Sequence, residues 1–393
     1  MSVAPCYIHG MGMINALGVG ASQVAAGLQG PSPLAWHHTP LHDGRRVRVG
    51  AVAAALPELP PALAGHATRN NRLLLAALSQ IENEITSALT RFGAERVAVV
   101  MGTSTSGIDE GTAALAAAES GAALPGYGYQ QQELGAPALC VSALIGSRGP
   151  AYTVSTACSS SARAFISAQR LLLSGLADAV IVGGADSLCE LTLNGFYSLE
   201  SLATDTCAPF TAQRDGINIG EGAAVCLLTR EPGTVALVGA GESSDAYHIS
   251  APHPEGTGAE AAMRMALLQA GVAPQSVGYI NLHGTGTRLN DAMEAAAVYR
   301  LFGDQVPCSS TKQLTGHTLG AAGATEAAIA WLLLTGQASL PAQWSHPATV
   351  DPELAPIGLL CGSPPLARPW VLSNSFAFGG NNVSLLFARG VAS

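Results

Sequence analysis

The sequence predicts a layered α/β fold built from two similar halves, residues 1–234 and 235–393. Three observations predict it. The chain has 393 residues, too many for one simple core and enough for two fused α/β units. Candidate strands alternate with candidate helices along its length. Near residue 235 that alternation starts again.

The elements follow in order. Cys6-Tyr7-Ile8-His9-Gly10-Met11-Gly12 reads as a strand entering a glycine turn. The spacing predicts a helix over about residues 70–90 and a strand over 97–100. Residues 121–132, rich in Gly and Gln, read as a surface or interface excursion. A strand over 151–154 leads to Cys158, and a helix then runs to about Gly175. Residues 179–182, ended by Gly183-Gly184, and 223–228 read as buried strands. In the second half the pattern gives a strand over 234–238, a helix over 258–270 and a strand over 277–282. A loop and a helix capped near Asn290-Asp291 come next, then a helix over 320–334 and a closing hairpin of 370–373 with 383–387.

Composition narrows the function. Apolar residues make up 48% and charged residues 11%, which predicts extensive burial, including a large subunit interface. A net charge of −9 argues against a nucleic-acid partner. The eight cysteines show no CxxC spacing, so neither a zinc site nor a disulfide framework is expected, and no metal or cofactor is called for. No Lys or Arg precedes Arg45, so a secretory signal lacks its positive region, and no run of 18 apolar residues predicts a membrane span. The expected location is the cytoplasm.

The chemistry gathers in three loops. Cys158 lies in Val154-Ser155-Thr156-Ala157-Cys158-Ser159-Ser160-Ser161, at a strand-to-helix turn. Backbone N–H groups and the positive end of a helix dipole there favour thiolate, the nucleophilic form. Cys140, Cys189 and Cys226 sit in apolar runs and read as inert core. His283 opens a Gly/Thr loop, and His317 ends Ser310-Thr311-Lys312-Gln313-Leu314-Thr315-Gly316-His317. Either histidine alone could be structural; both in one chain with Cys158 point to catalysis. His9, His37, His38, His42, His66, His248, His253 and His346 lack such context and read as surface or loop residues. Lys312 is the only lysine, among 17 arginines, which suggests a role for a compact charge that arginine cannot fill. Glu326 on the following helix is its expected counter-ion. The third loop, Asn374-Ser375-Phe376-Ala377-Phe378-Gly379-Gly380-Asn381-Asn382, suggests a tight turn bringing N–H groups and an aromatic ring to a pocket.

With these loops the chain resembles the elongating β-ketoacyl-acyl-carrier-protein synthases, condensing enzymes of fatty-acid and polyketide assembly. The resemblance covers nearly the whole length. It takes in the Gly-Met-Gly turn, the Thr-Ala-Cys-Ser-Ser turn, Gln213-Arg214-Asp215-Gly216, Gly220-Glu221-Gly222-Ala223 and Ser244-Asp245-Ala246-Tyr247-His248. It continues through the His-Gly-Thr-Gly-Thr, Lys312/His317 and Phe-x-Phe-Gly-Gly loops. It implies a thiolase-like, five-layered αβαβα architecture. Cys158 would carry the acyl chain, and His283 and His317 would hold the malonyl thioester and promote its decarboxylation. Lys312 with Glu326 would orient His317, and the N–H groups of Cys158 and Phe378 would form an oxyanion hole. Phe376, Phe378, Gly379 and Gly380 would make the gate.

The resemblance also implies an acyl carrier protein as partner, and a homodimer or a heterodimer with a chain-length-factor-like homologue. Carrier proteins in this chemistry are acidic, so docking on this net-negative chain requires a local basic patch. Arg69 and Arg72 are the candidates, with Arg45, Arg46 and Arg48 behind them. Three departures stand out: Arg288 where the family often has proline, Ala377 for the usual glycine, and Asn381 for a frequent threonine. Ala377 would stiffen the gate. The alternatives are a non-catalytic chain-length factor, which lacks the cysteine; a coenzyme A-using thiolase, with Cys361 as its second cysteine; and a scaffold. The pathway, fatty-acid or polyketide, stays open.

Overall fold

The computed structural model describes residues 4–35, 37–122, 126–343 and 349–390. The principal strands of the first half are β1 (Cys6–Asn15), β2 (Val97–Gly102), β3 (Ala151–Val154), β4 (Ala179–Asp186) and β5 (Gly222–Thr229). Those of the second are β6 (Val235–Ser244), β7 (Tyr279–Asn281), β8 (Pro307–Ser309), β9 (Trp370–Phe376) and β10 (Asn381–Arg389). Spatial order is β3-β2-β4-β5-β1 in one half and β8-β7-β9-β10-β6 in the other. In each, the first three strands run parallel and the last three antiparallel. The two halves thus repeat one topology.

They also join. Cys6–Ile8 of β1 pairs antiparallel with Val235–Leu237 of β6, so hydrogen bonding runs through one sheet, which Gly18–Val19 and Gly358–Leu359 extend to 12 strands. The helices that cover it are α1 (Arg69–Leu78), α2 (Glu82–Phe92), α3 (Ala136–Ile145), α4 (Ser160–Leu173), α5 (Glu190–Ser198), α6 (Thr257–Ala270), α7 (Arg288–Phe302) and α8 (Ala322–Leu334). α4 and α8 pack on each other in the centre, α4 against β2 and β4, α8 against β5 and β9. α1 and α3 cover the outer face of the first half, and α6 and α7 that of the second. The fold is α/β and thiolase-like, with outer helices, sheet, central helices, sheet and outer helices in succession.

Strands enclosed on both faces read as continuous apolar runs, and β2, Val97-Ala98-Val99-Val100-Met101-Gly102, is buried at every residue. Two glycines set the depth of the central layer. A Cβ on Gly102 would strike the backbone nitrogen of Ser161, so the first turn of α4 rests directly on β2. A Cβ on Gly323 would lie 2.6 Å from the nitrogen of Ala162, so α8 meets α4 backbone to backbone.

Some elements differ from the sequence expectation. The helix over 70–90 is two helices, α1 and α2, separated by a 3₁₀ turn at Ser79–Ile81. Gln80 accounts for the break, because its side chain accepts from Met13 N at 3.1 Å and donates to Met13 O at 3.0 Å on β1. β4 continues through Gly183-Gly184 to Asp186, since β5 pairs with it that far. The helix after the His283 loop starts at Arg288, earlier than expected. Residues 121–122 and 126–130 are largely exposed, but Gln131 is buried and donates to Ala67 O at 3.1 Å; 123–125 lie outside the described residues.

Candidate active site

Cys158 sits between β3 and α4, at a turn that its neighbours fasten. Ser160 Oγ accepts from Thr156 N at 2.9 Å and donates to Ala157 O at 2.6 Å. Ala157 holds a left-handed φ of 52°, a costly conformation for a residue with a Cβ and one found where a side chain must be aimed. Cys158 is buried. Burial pushes its thiol up to about 11, against the pull of Lys312 and of the Phe378 and Cys158 N–H groups on the sulfur. The turn favours thiolate, as its position implies, and desolvation acts against it.

The histidines arrive from the other half. Glu294 on α7 shapes the His283 loop, accepting from His283 N at 2.8 Å and Gly284 N at 2.7 Å. His317 is clamped by its backbone, which donates to Asn218 O at 2.7 Å and accepts from Gly220 N at 2.9 Å. The two rings stand edge to face with centroids 5.3 Å apart. Cys158 Sγ and one nitrogen from each ring lie within 4.8 Å of one another. None of the four ring nitrogens has a hydrogen-bond partner among the described residues, although both histidines are buried. Burial, and Lys312 after it, holds both imidazoles well below the ordinary value of 6.5, so they are neutral. Cys, His and His at this spacing could also coordinate a metal, but the Lys312 cation that depresses both histidines also opposes a second positive charge.

Lys312 Nζ donates to Glu326 Oε1 at 2.5 Å, and both side chains are buried. Burial pushes the Glu326 carboxyl up to about 7, with the Lys312 charge opposing it. In the third loop Phe376 is buried 6.3 Å from the His283 ring, forming a wall. Phe378 is only half-buried and lies 5.6 Å from the ring of Phe196 on α5. Gly379 and Gly380 take φ of 83° and 74°, and Gly379 N donates to Ile249 O at 2.8 Å.

Asp186 aligns the two halves. It accepts from Thr103, Ser104 and Thr105 after β2, and from Gly320 N at 2.5 Å, three residues beyond His317. Ser161 Oγ accepts from Ala324 N at 2.9 Å, joining the first turns of α4 and α8. Asp291 accepts from Phe210 N at 2.8 Å and Gly286 N at 3.1 Å. The sequence reading did not single out Asp186 or Glu294 and used Asp291 only as a cap; acidic residues inside apolar or helical runs were the available signal.

Arg69 and Arg72, the docking candidates, both hold carboxylates. Arg69 grips the buried Glu221 with Nε and Nη2 at 2.7 and 2.6 Å, and Glu221 also accepts from Val52 N. A buried carboxylate requires this partner, which ties the Arg69 charge to Glu221. Arg72 pairs with Glu58 at 2.8 Å and donates to Pro57 O and Leu56 O. His9 lies in β1, bonded to Thr229 Oγ1 at 2.8 Å, instead of in a loop. Cys140, Cys189 and Cys226 are buried as expected, and His346 lies outside the described residues.

The neutral histidines set an acid limit. Their folded pKa values lie below those of the unfolded chain, so the unfolded state takes up protons first as pH falls. The stability they contribute is complete above 6.5 and drains below it, by up to about 1.4 kcal/mol per pH unit for each. Urea midpoints on either side of that pH should show a steeper acid loss in wild type than in a His283→Asn/His317→Asn variant. Parallel curves would show that these histidines are not the cause.

A buried sulfur thus faces two imidazoles that lack partners among the described residues, on a duplicated thiolase-like frame. The chain belongs to the β-ketoacyl synthase family: the model of its N-terminal domain matches residues 36–232 and that of its C-terminal domain residues 235–344. Over 98% of both chains it superposes, with a TM-score of 0.95 and 52% identity, on a ketosynthase (ApeO) solved in complex with its chain length factor (ApeC) from Xenorhabdus doucetiae. A β-ketoacyl synthase from Burkholderia phymatum STM815 is 28% identical with a TM-score of 0.88, covering 99% of this chain and 100% of that one. The 3-oxoacyl-[acyl-carrier-protein] synthase 2 of Rhizobium meliloti (strain 1021) is 39% identical over 62% of this chain. That match spans 61% of the relative's length.

Proposed function

We propose that the chain is an acyltransferase, a β-ketoacyl-acyl-carrier-protein synthase that condenses a Cys158-bound acyl chain with malonyl carrier protein in fatty-acid or polyketide assembly. The observation that carries this reading is the convergence of Cys158 Sγ and the unpartnered ring nitrogens of His283 and His317 within 4.8 Å, in a buried site.

In the first step Cys158 attacks the acyl thioester carbonyl. Its proton passes to an imidazole and then to the departing carrier thiol. The N–H groups of Cys158 and Phe378, which favour negative charge on the sulfur, receive the oxyanion. In the second step malonyl carrier loses carbon dioxide, and the electron pair becomes an enolate whose oxygen takes hydrogen bonds at His283 and His317. The enolate carbon attacks the acyl-Cys158 carbonyl, Cys158 leaves, and the β-ketoacyl product stays on the carrier. Exclusion of water protects the carbanion from protonation. Cys361 is exposed and outside the cluster, which weighs against the thiolase reading.

β3 is the outer strand of its half, with Tyr152 on it and Leu139 on α3 partly exposed. An edge of this kind suits a second subunit. The likeness to a ketosynthase paired with a chain length factor favours a heterodimer with a homologue of that kind over a homodimer. Among the described residues no helix is long and apolar enough to cross a membrane, and all eight cysteines are free, in keeping with a reducing cytoplasm.

His283→Ala and His317→Ala separate the two steps. Single-turnover acylation of Cys158 should fall modestly, and carbon dioxide release from malonyl carrier by about 10²–10³-fold, the usual loss on removing an oxyanion donor. Equal losses in both steps would sink the division of labour.

A further inference from the structure

We propose that Arg288 is the cation that receives the phosphodiester of the carrier's phosphopantetheine arm at the mouth of the active site. The inference rests on the condensation reading and names how the substrate is held.

Most of the 17 arginines are committed to ion pairs; among the described residues only Arg46, Arg288, Arg368 and Arg389 have no carboxylate within 4.0 Å. Arg46 and Arg368 donate to backbone carbonyls at His38 and Val277, and Arg389 ends β10. Arg288 alone of the four borders the gate. Its exposed side chain lines a surface cavity of about 340 Å³ together with Phe378, Thr287, Ser250 and Asn290. Asp351, whose carboxyl feels the Arg288 charge, is already held by Arg214 at 2.5 Å.

Reach and chemistry agree. Arg288 follows His283 by five residues, so their Cα atoms lie within about 17 Å, a span a phosphopantetheine arm can cover between its thiol and its phosphate. A guanidinium grips phosphate through two parallel N–H donors, and the chain's net charge of −9 makes a local cation the means of holding an anionic arm. Glu200 and Asp215 line the same cavity and repel an anion, so Arg288 is the one cation among the described residues on it that can hold the phosphate.

The test compares one acyl group presented as pantetheine thioester, phosphopantetheine thioester and carrier-bound thioester, reading Cys158 acylation by intact mass. Wild type should favour phosphopantetheine over pantetheine in KM by about 10- to 100-fold, the value of a charged hydrogen bond. Arg288→Ala should bring that ratio close to one, and Arg288→Lys should restore part of it. General damage to the fold would move both KM values and leave their ratio alone. An unchanged ratio in Arg288→Ala overturns the proposal. So does an intact ratio with weakened carrier binding, which would assign Arg288 to the carrier's carboxylates. If wild type is acylated by none of the three, the condensation reading itself falls.

Discussion

Cys158→Ala will leave a folded protein that takes up no acyl mass and condenses at least about 10⁴-fold more slowly. Losses of this size follow removal of a nucleophile from a site whose remaining groups are intact. The fold should survive because Cys158 ends a turn whose hydrogen bonds come from Thr156, Ser159 and Ser160. Incubation with acyl-carrier thioesters should add one acyl group to wild type and none to the variant. The thiol at about 11 makes a further demand, since sulfur must lose its proton as it attacks. Acylation should therefore fall when His283 and His317 are removed together. Acyl mass appearing on Cys158→Ala would move the nucleophile elsewhere.

Lys312→Met will cost about 3–5 kcal/mol of stability, because it strands Glu326 as an uncompensated group in the interior. Replacing both, as Lys312→Met/Glu326→Leu, should recover most of that loss, since a buried pair exchanged for apolar residues is close to neutral. Activity should not recover with it. The Lys312 charge lowers the pKa of Cys158 and of both histidines, and the double variant has no such charge. Condensation should stay down by about 10²-fold or more while urea midpoints return. The native protein should also resist an amine reagent at Lys312 until denatured, since the side chain is 2% exposed. Full activity in the double variant would make the pair a packing device only.

The meeting of Cys158, His283 and His317 was legible because each lies in a short run of small residues with a distinct local pattern. Lys312 and Glu326 were legible from a lone lysine and the helix that follows it. The supporting carboxylates were not, because Asp186 and Glu294 act on backbone N–H groups that only the folded chain brings to them. The pairing of Arg69 was hidden for the same reason: the sequence displays its charge but not Glu221, 152 residues away, which holds it. The single helix over 70–90 failed at Gln80, whose partner Met13 belongs to the first strand. The desolvation of Cys158 was hidden as well. A turn position shows which groups stabilise the anion, and no local pattern shows how much water the fold removes.

The repeated topology has an electrostatic consequence. Cys158 precedes α4 and His317 precedes α8, and these helices occupy equivalent places in the two halves. Their first turns touch, through Ser161 with Ala324 and Gly323 with Ala162. The positive ends of two helix dipoles therefore face one small volume, each equivalent to roughly half an elementary charge. This potential belongs to the backbone and has no proton to lose. Changes of pH that titrate Glu326 or the imidazoles leave it standing. In the proposed reaction it would act on negative charge wherever that arises, on the tetrahedral oxygen first and on the enolate afterwards. A single array of peptide dipoles, doubled by internal repetition, thus serves two successive anions that never coexist.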